Sequence, residues 1–264
     1  MKIEGQREKK NMDFRNLNPL NIRANLLSGN LLPITPDDSR PSILWRAYGV
    51  IILLIEVIQI AGFIFGLILA PQKKTLKEGS IGVMVTIEVI VMLTRFYAHK
   101  KLLKRVIGKL NDLLRDADET MKDIVRSILK PKIMPLTLYG IFSVISFLVW
   151  NIEPLLLVFN RNTFFYSDYN VPTAFSAEPF STSVLIPSIL IMAFGGSSRI
   201  LKKYSLDVYM MHLVLLLTAQ YRYMAIKLAQ LFRHPRETGG GRSEEDRWVE
   251  ELRTLCQHYN TVIW

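Results

Sequence analysis

Cysteine is almost absent: in 264 residues only Cys256 carries a thiol. No intrachain disulfide is available, and no thiolate cluster can be built to hold a metal. Histidine is scarce too, with His99, His212, His234 and His258. None has a second histidine three or four positions away, and the one carboxylate at that spacing, Glu237 after His234, stands across Pro235. No metal and no cofactor are expected. The N-terminus has no continuous apolar h-region and no cleavage site, so the first spanning helix is expected to act as the targeting signal. There is no Asn-x-Ser/Thr acceptor, no repeat of solenoid period and no nucleophile elbow. Gly239-Gly240-Gly241 follows no strand and is not a phosphate loop. These absences point away from an enzyme.

What is present is apolar and unevenly arranged. Half of the residues are hydrophobic, the mean hydropathy is +0.21 and the net charge is +10. The apolar residues fall in long runs with most charges between them. A run of about 20 such residues, at about 1.5 Å each, matches a hydrocarbon core of about 30 Å. Three runs read as spans: Ala47 to Ala70, Ile81 to Ala98 and Ile133 to Val158. The fourth region is divided. Val184 to Gly195 is apolar, Arg199, Lys202 and Lys203 interrupt, and Val208 to Leu217 resumes toward Leu231. It reads either as one interrupted helix or as two short spans joined by a basic turn.

Charge decides between them. Lysine and arginine number 8 in Met1 to Arg46, 10 in Lys100 to Lys132 and 6 in Lys227 to Trp264, against 3 in Pro71 to Ser80 and 1 in Phe159 to Ser183. Four spans put all three basic segments on one side, which the positive-inside rule makes cytoplasmic. The expected fold is all-α, a multi-pass membrane helical bundle of about four transmembrane helices with both termini cytoplasmic. Its parts are a cytoplasmic N-terminal segment (1–46), the membrane region (47–231) with a cytoplasmic helical loop (99–132) and a long external loop (159–183), and a cytoplasmic linker and helix (232–264). The same one-sided placement explains the positive charge without nucleic acid. The stretch His234 to Arg247 reads as a flexible linker, and Trp248, Leu252, Cys256, Tyr259 and Ile263 recur at helical spacing after it.

Charges within a span cost roughly 2.5–3.5 kcal/mol on insertion scales, so Glu56 and Glu88 are functional candidates. Each reads either as a partner for another helix or as a ligand- or ion-contacting group. Glu88 and Arg95 are two turns apart and do not pair directly. His212 reads as an interhelical hydrogen-bonding residue. The aromatic and methionine residues of the outer halves, among them Met84, Phe147, Trp150, Met192 and Phe194, read as pocket lining or as ordinary lipid-facing residues.

Several stretches carry a family resemblance. Asp207 to Tyr223, running on through Met224 to Phe232, resembles the fourth transmembrane segment of the insect odorant receptors. Leu255-Cys256-Gln257-His258-Tyr259-Asn260 resembles the cytoplasmic motif before that family's fifth segment. Leu76 to Gly82, Tyr166-Ser167-Asp168-Tyr169 and Pro179-Phe180-Ser181 match in order along the chain. The resemblance implies a ligand-gated cation channel subunit that binds a small volatile odorant in the outer half of its helices. It implies a heterotetramer with a co-receptor subunit in the lipid bilayer, at the plasma membrane of an olfactory sensory neuron dendrite.

Against that pattern the chain is expected to be truncated after the fourth segment, lacking the pore helix. Arg199, Lys202 and Lys203 are unusual charges for that segment. The candidate ligand contacts are Met84, Ile87, Glu88, Phe147, Trp150, Asn151, Met192, Gly196 and Ile200. The competing reading is a fragment of a membrane transporter that uses Glu56 and Glu88 in ion coupling.

Overall fold

The computed structural model describes residues 12–36, 42–233 and 242–263. Two short helices, α1 (Phe14–Leu17) and α2 (Pro19–Leu27), precede the first span, α3 (Ile43–Leu69). A turn of helix, α4 (Gln72–Lys74), leads through a π-helical turn (Thr75–Gly79) into α5 (Ser80–Ala98). The basic loop holds α6 (Lys100–Arg115), and α7 (Glu119–Trp150), the third apolar helix, leads to a short α8 (Ile152–Leu156). A two-residue hairpin, β1 (Thr163–Phe164) against β2 (Phe180–Ser181), opens and closes the external loop. Then come α9 (Thr182–Arg233) and α10 (Arg242–Ile263).

Four helices among the described residues are long and apolar enough to cross a membrane: Ile43–Leu69, Thr75–Ala98, Glu119–Phe159 and Thr182–Arg233. Their outer surfaces are apolar, with Ile51, Leu54, Ile68, Ile90, Phe142, Ile145 and Val149 all about half or more exposed. In water such a surface would aggregate, whereas in hydrocarbon it is the solvated face. The fold is the all-α membrane bundle that composition implies.

Local chemistry sets the helix ends. Pro71 forces Ala70 into an extended conformation (ψ 157°) and stops α3. Asp118 begins α7 by accepting the Met121 N–H at 2.8 Å. This start lies well before the apolar run at Ile133, so the spanning helix reaches into the basic loop. In the fourth region the interrupted-helix reading is correct, because α9 runs unbroken for 52 residues. At about 1.5 Å per residue it is roughly 78 Å long, more than twice the hydrocarbon thickness. The expected linker His234 to Arg247 is shorter than its composition indicates: Arg242 onward is already α10, and 234–241 lie outside the described residues.

Buried side chains gather at two levels along α9. Near its inner half lie Phe14, Ile107, Leu110, Leu114, Met121, Val125, Leu206, Tyr209 and Leu216. At its outer end Phe164, Tyr166, Tyr169 and Phe180 of the external loop pack on Leu185 and Ile189.

The N-terminal segment belongs to the inner level. Asn18, Asn21, Asn25 and Asn30 are all buried. Asn25 both donates to Leu32 O (2.9 Å) and accepts from Leu32 N–H (2.8 Å), and Asn30 donates to Lys202 O at 3.1 Å. Tyr209 OH donates to Pro33 O at 2.8 Å, Tyr97 OH to Asn30 O, and Asn21 shares a bond with His212 at 3.1 Å. The N-terminal segment is thus a strap whose asparagines replace water for the backbone groups they bury.

Asp118 also ties this level together. It pairs with Lys227 Nζ at 2.9 Å and accepts from Tyr223 OH at 3.2 Å. Partial burial works to raise its pKa, but the bonds from Lys227, Met121 and Tyr223 outweigh it and hold the carboxyl below its ordinary value. A depressed folded-state pKa stabilises above the unfolded value of about 3.9 and is lost as pH falls through the folded value. Asp118→Asn, which keeps a capping side chain, is expected to flatten the acid limb of thermal stability below about pH 4. Near neutrality it costs under about 1 kcal/mol, since both partners are more than a third exposed.

Candidate functional site

The external loop folds back onto the outer ends of the spans. Ala174 N–H donates to Gly62 O at 3.0 Å, so loop backbone meets helix backbone directly. This approach needs the absence of side chains at Gly62 and Gly66, one turn apart on α3. A Cβ at Gly62 would run into the Phe175 ring, and one at Gly66 would run into the backbone of Pro172 and Thr173. The loop is braced elsewhere by Asn170, whose Nδ2 donates to Trp150 O (2.6 Å) and to Glu153 (3.2 Å), and by Tyr166 OH on Ser176 O (2.9 Å).

Between this loop, the α7–α8 junction and the outer part of α9 lies a narrow cleft. Its enclosed space is only about 10 Å³, room for about one water and far below the 300–1,000 Å³ usual for drug-sized ligands. Asn151, Pro154, Tyr169, Asn170, Val171, Thr173, Ile189 and Met192 line it. Asn151 Nδ2 donates to Phe147 O at 2.7 Å, and Thr173 Oγ1 lies 3.4 Å from Met192 Sδ. Burial pushes the Tyr169 phenol above its ordinary value, so the lining carries no charge at neutral pH. A guest would have to widen it, and the uncharged lining favours a neutral molecule with an apolar body and one or two polar atoms.

Deeper in the bundle is a belt of charge. Lys202 of α9 pairs with Glu56 of α3, both side chains only 10% exposed. One turn outward, Arg199 donates from Nη2 to Gln59 Oε1 and from Nη1 to Thr86 Oγ1, each at 2.7 Å. Lys203 pairs with Glu88 of α5 at 2.6 Å and with Asp207 at 3.6 Å, and Tyr139 OH donates to Asp207 at 3.2 Å. Two of the three cations that interrupt the fourth apolar run, Lys202 and Lys203, are therefore the counter-charges of the carboxylates in the first two, and Arg199 is held by neutral polar groups of the same helices. Glu56 and Glu88 each face a lysine, so both act as partners for another helix. No group of three or more metal-ligating side chains occurs among the described residues.

Five of the nine expected ligand contacts come together. Asn151 and Met192 line the cleft. Gly196 is filled by the Phe147 ring, and Phe147 and Trp150 meet edge to face with centroids 6.3 Å apart. The others stand apart from it: Met84 and Ile87 are exposed on α5, Glu88 is held by Lys203, and Ile200 is half-buried further along α9. Sequence reasoning missed Tyr169, Asn170 and Thr173. The signal for them was the pair Gly62 and Gly66, which marks a place where another backbone comes close.

A family model described as "7tm Odorant receptor" matches residues 79–264. The chain belongs to the odorant receptor family. The match takes in α5 through α10 and with them the cleft lining on α7, α8, the external loop and α9. No curated protein and no solved structure matches the chain. Membership makes this odorant receptor chain a membrane receptor protein of a non-enzymatic family.

Proposed function

We propose that this chain is the odorant-binding subunit of a heteromeric, ligand-gated cation channel at the plasma membrane of an olfactory sensory neuron. It works beside a co-receptor subunit and takes a small, neutral, volatile ligand in the outer cleft. The observation that carries the reading is that a chain of the odorant receptor family closes an uncharged cleft with its own external loop. Asn151 and Thr173 would orient the ligand's polar atom, and Met192 and Ile189 would enclose its apolar body. Phe147, Trp150 and Gly196 would form the floor and wall behind them.

Apolar pockets discriminate by size, one methylene being worth about 1–3 kcal/mol. Met192→Ala is therefore expected to shift preference toward homologues longer by one or two carbons. The ratio of responses should change roughly tenfold in a co-receptor co-expression recording of odour-evoked current. An unchanged chain-length profile would remove Met192 from the site.

A further inference from the structure

We propose that the ends of α5, α6 and α7 near the Lys100–Lys132 loop form a binding surface for anionic phospholipid headgroups of the adjacent leaflet. Arg95, Lys100, Lys101 and Arg105 are all exposed, and no ion pair joins any of them among the described residues. Lys130 and Lys132, where α7 enters its apolar stretch, are exposed as well. The surrounding sequence supplies no neutralising group: no Asp or Glu occurs between Glu88 and Asp112, or between Asp123 and Glu153.

Several cations elsewhere in the molecule are paired. Arg115, Lys122, Arg126, Lys227 and Arg253, further along the cytoplasmic helices, each have a carboxylate within 4 Å, at 2.7, 2.8, 3.6, 2.9 and 2.9 Å. Within the bundle, Lys202 and Lys203 are likewise paired. Among the described residues these seven cations are neutralised in place, whereas Arg95, Lys100, Lys101 and Arg105 are not.

Geometry fits a headgroup layer. From Arg95 to Arg105 is about 15 Å of helix, and flexible lysine and arginine stems reach several ångströms to either side. Helical side chains tilt toward the N-terminus, which for α6 is its membrane end, so Lys101 and Arg105 lean back toward the phosphates. These two lie one turn apart on the side of α6 away from its buried residues Ile107, Leu110 and Leu114. Leu102, 52% exposed among the cations, adds an apolar contact at the same level. A cluster of four to eight cations just beyond a span is the arrangement that attracts acidic lipid. The inference rests on the membrane placement alone and is independent of what the outer cleft binds.

The test uses the full chain in nanodiscs of phosphatidylcholine containing a minor fraction of phosphatidylserine, with the serine lipid retained per chain measured after exchange into mixed micelles. Lys100→Gln with Lys101→Gln and Arg105→Gln is expected to lower retention at least tenfold, each cation near the surface contributing roughly fivefold. Arg115→Gln with Lys122→Gln and Arg126→Gln removes the same net charge and should stay within about twofold of the parent. Equal retention by the first variant, or equal loss by both, would overturn the proposal. Should the first variant not fold, Lys100→Arg with Lys101→Arg must retain the lipid. Retention by the unaltered chain must then also weaken as salt rises from about 0.05 M to about 0.5 M, because exposed charges are screened over that range; salt-independent retention overturns the idea as well.

Discussion

Lys202→Met is expected to destabilise the bundle by about 3–5 kcal/mol, read as a lower unfolding midpoint in detergent. The substitution keeps the volume of the side chain and removes its charge, leaving the buried Glu56 carboxylate facing apolar surroundings. Glu56 already has one oxygen without a hydrogen-bond partner, so loss of Lys202 leaves it with little compensation. Glu56→Leu is expected to cost a similar amount by stranding the lysine. The double variant Glu56→Leu with Lys202→Leu should recover most of the loss, since a buried pair exchanged for packed apolar residues is often neutral or stabilising. A double-mutant cycle gives the coupling directly. Single variants that each cost under about 1 kcal/mol would show that the pair is solvated and not part of the core.

The second large effect is expected at Gly66. Gly66→Ala puts a methyl group into the backbone of Pro172 and Thr173, which cannot rotate away as a side chain can. The external loop must lift off α3, at about 1–3 kcal/mol or more, and carry Thr173 out of the cleft. Limited proteolysis should then cut within 166–178 of the variant many times faster than in the parent, and response to the ligand should be lost. Gly62→Ala is expected to be milder, because its obstacle is the Phe175 ring, which can swing aside. Equal protease resistance in all three proteins would show that the loop does not depend on this groove.

The spans were legible in the sequence because lipid leaves the chain one solution, a helix about 20 apolar residues long. Their ends were not, since α7 begins at Glu119 on a polar cap while hydropathy registers only the run from Ile133. The intramembrane charges stood out for the same reason the spans did, but their pairing could not be read. Glu56 and Lys202 are 146 positions apart, and periodicity carries no information at that separation. The burial of the asparagines from Asn18 to Asn30 could not be read, because burial of a polar residue depends on partners that lie elsewhere in the chain. The cleft was half legible: Asn151 and Met192 belong to helices whose outer ends could be placed, whereas Tyr169 and Thr173 reach it through a loop whose path no local pattern encodes.

The single rod of α9 gives small events at its N-terminal end mechanical advantage. From Lys202 to Arg233 the rod extends about 46 Å beyond the ionic belt. With the belt as fulcrum, a tilt of about 5° displaces the far tip by about 4 Å, close to one helical turn. A guest that pushed on Ile189 and Met192 would therefore work a lever whose long arm lies beside α10 and the Asp118–Lys227 contact.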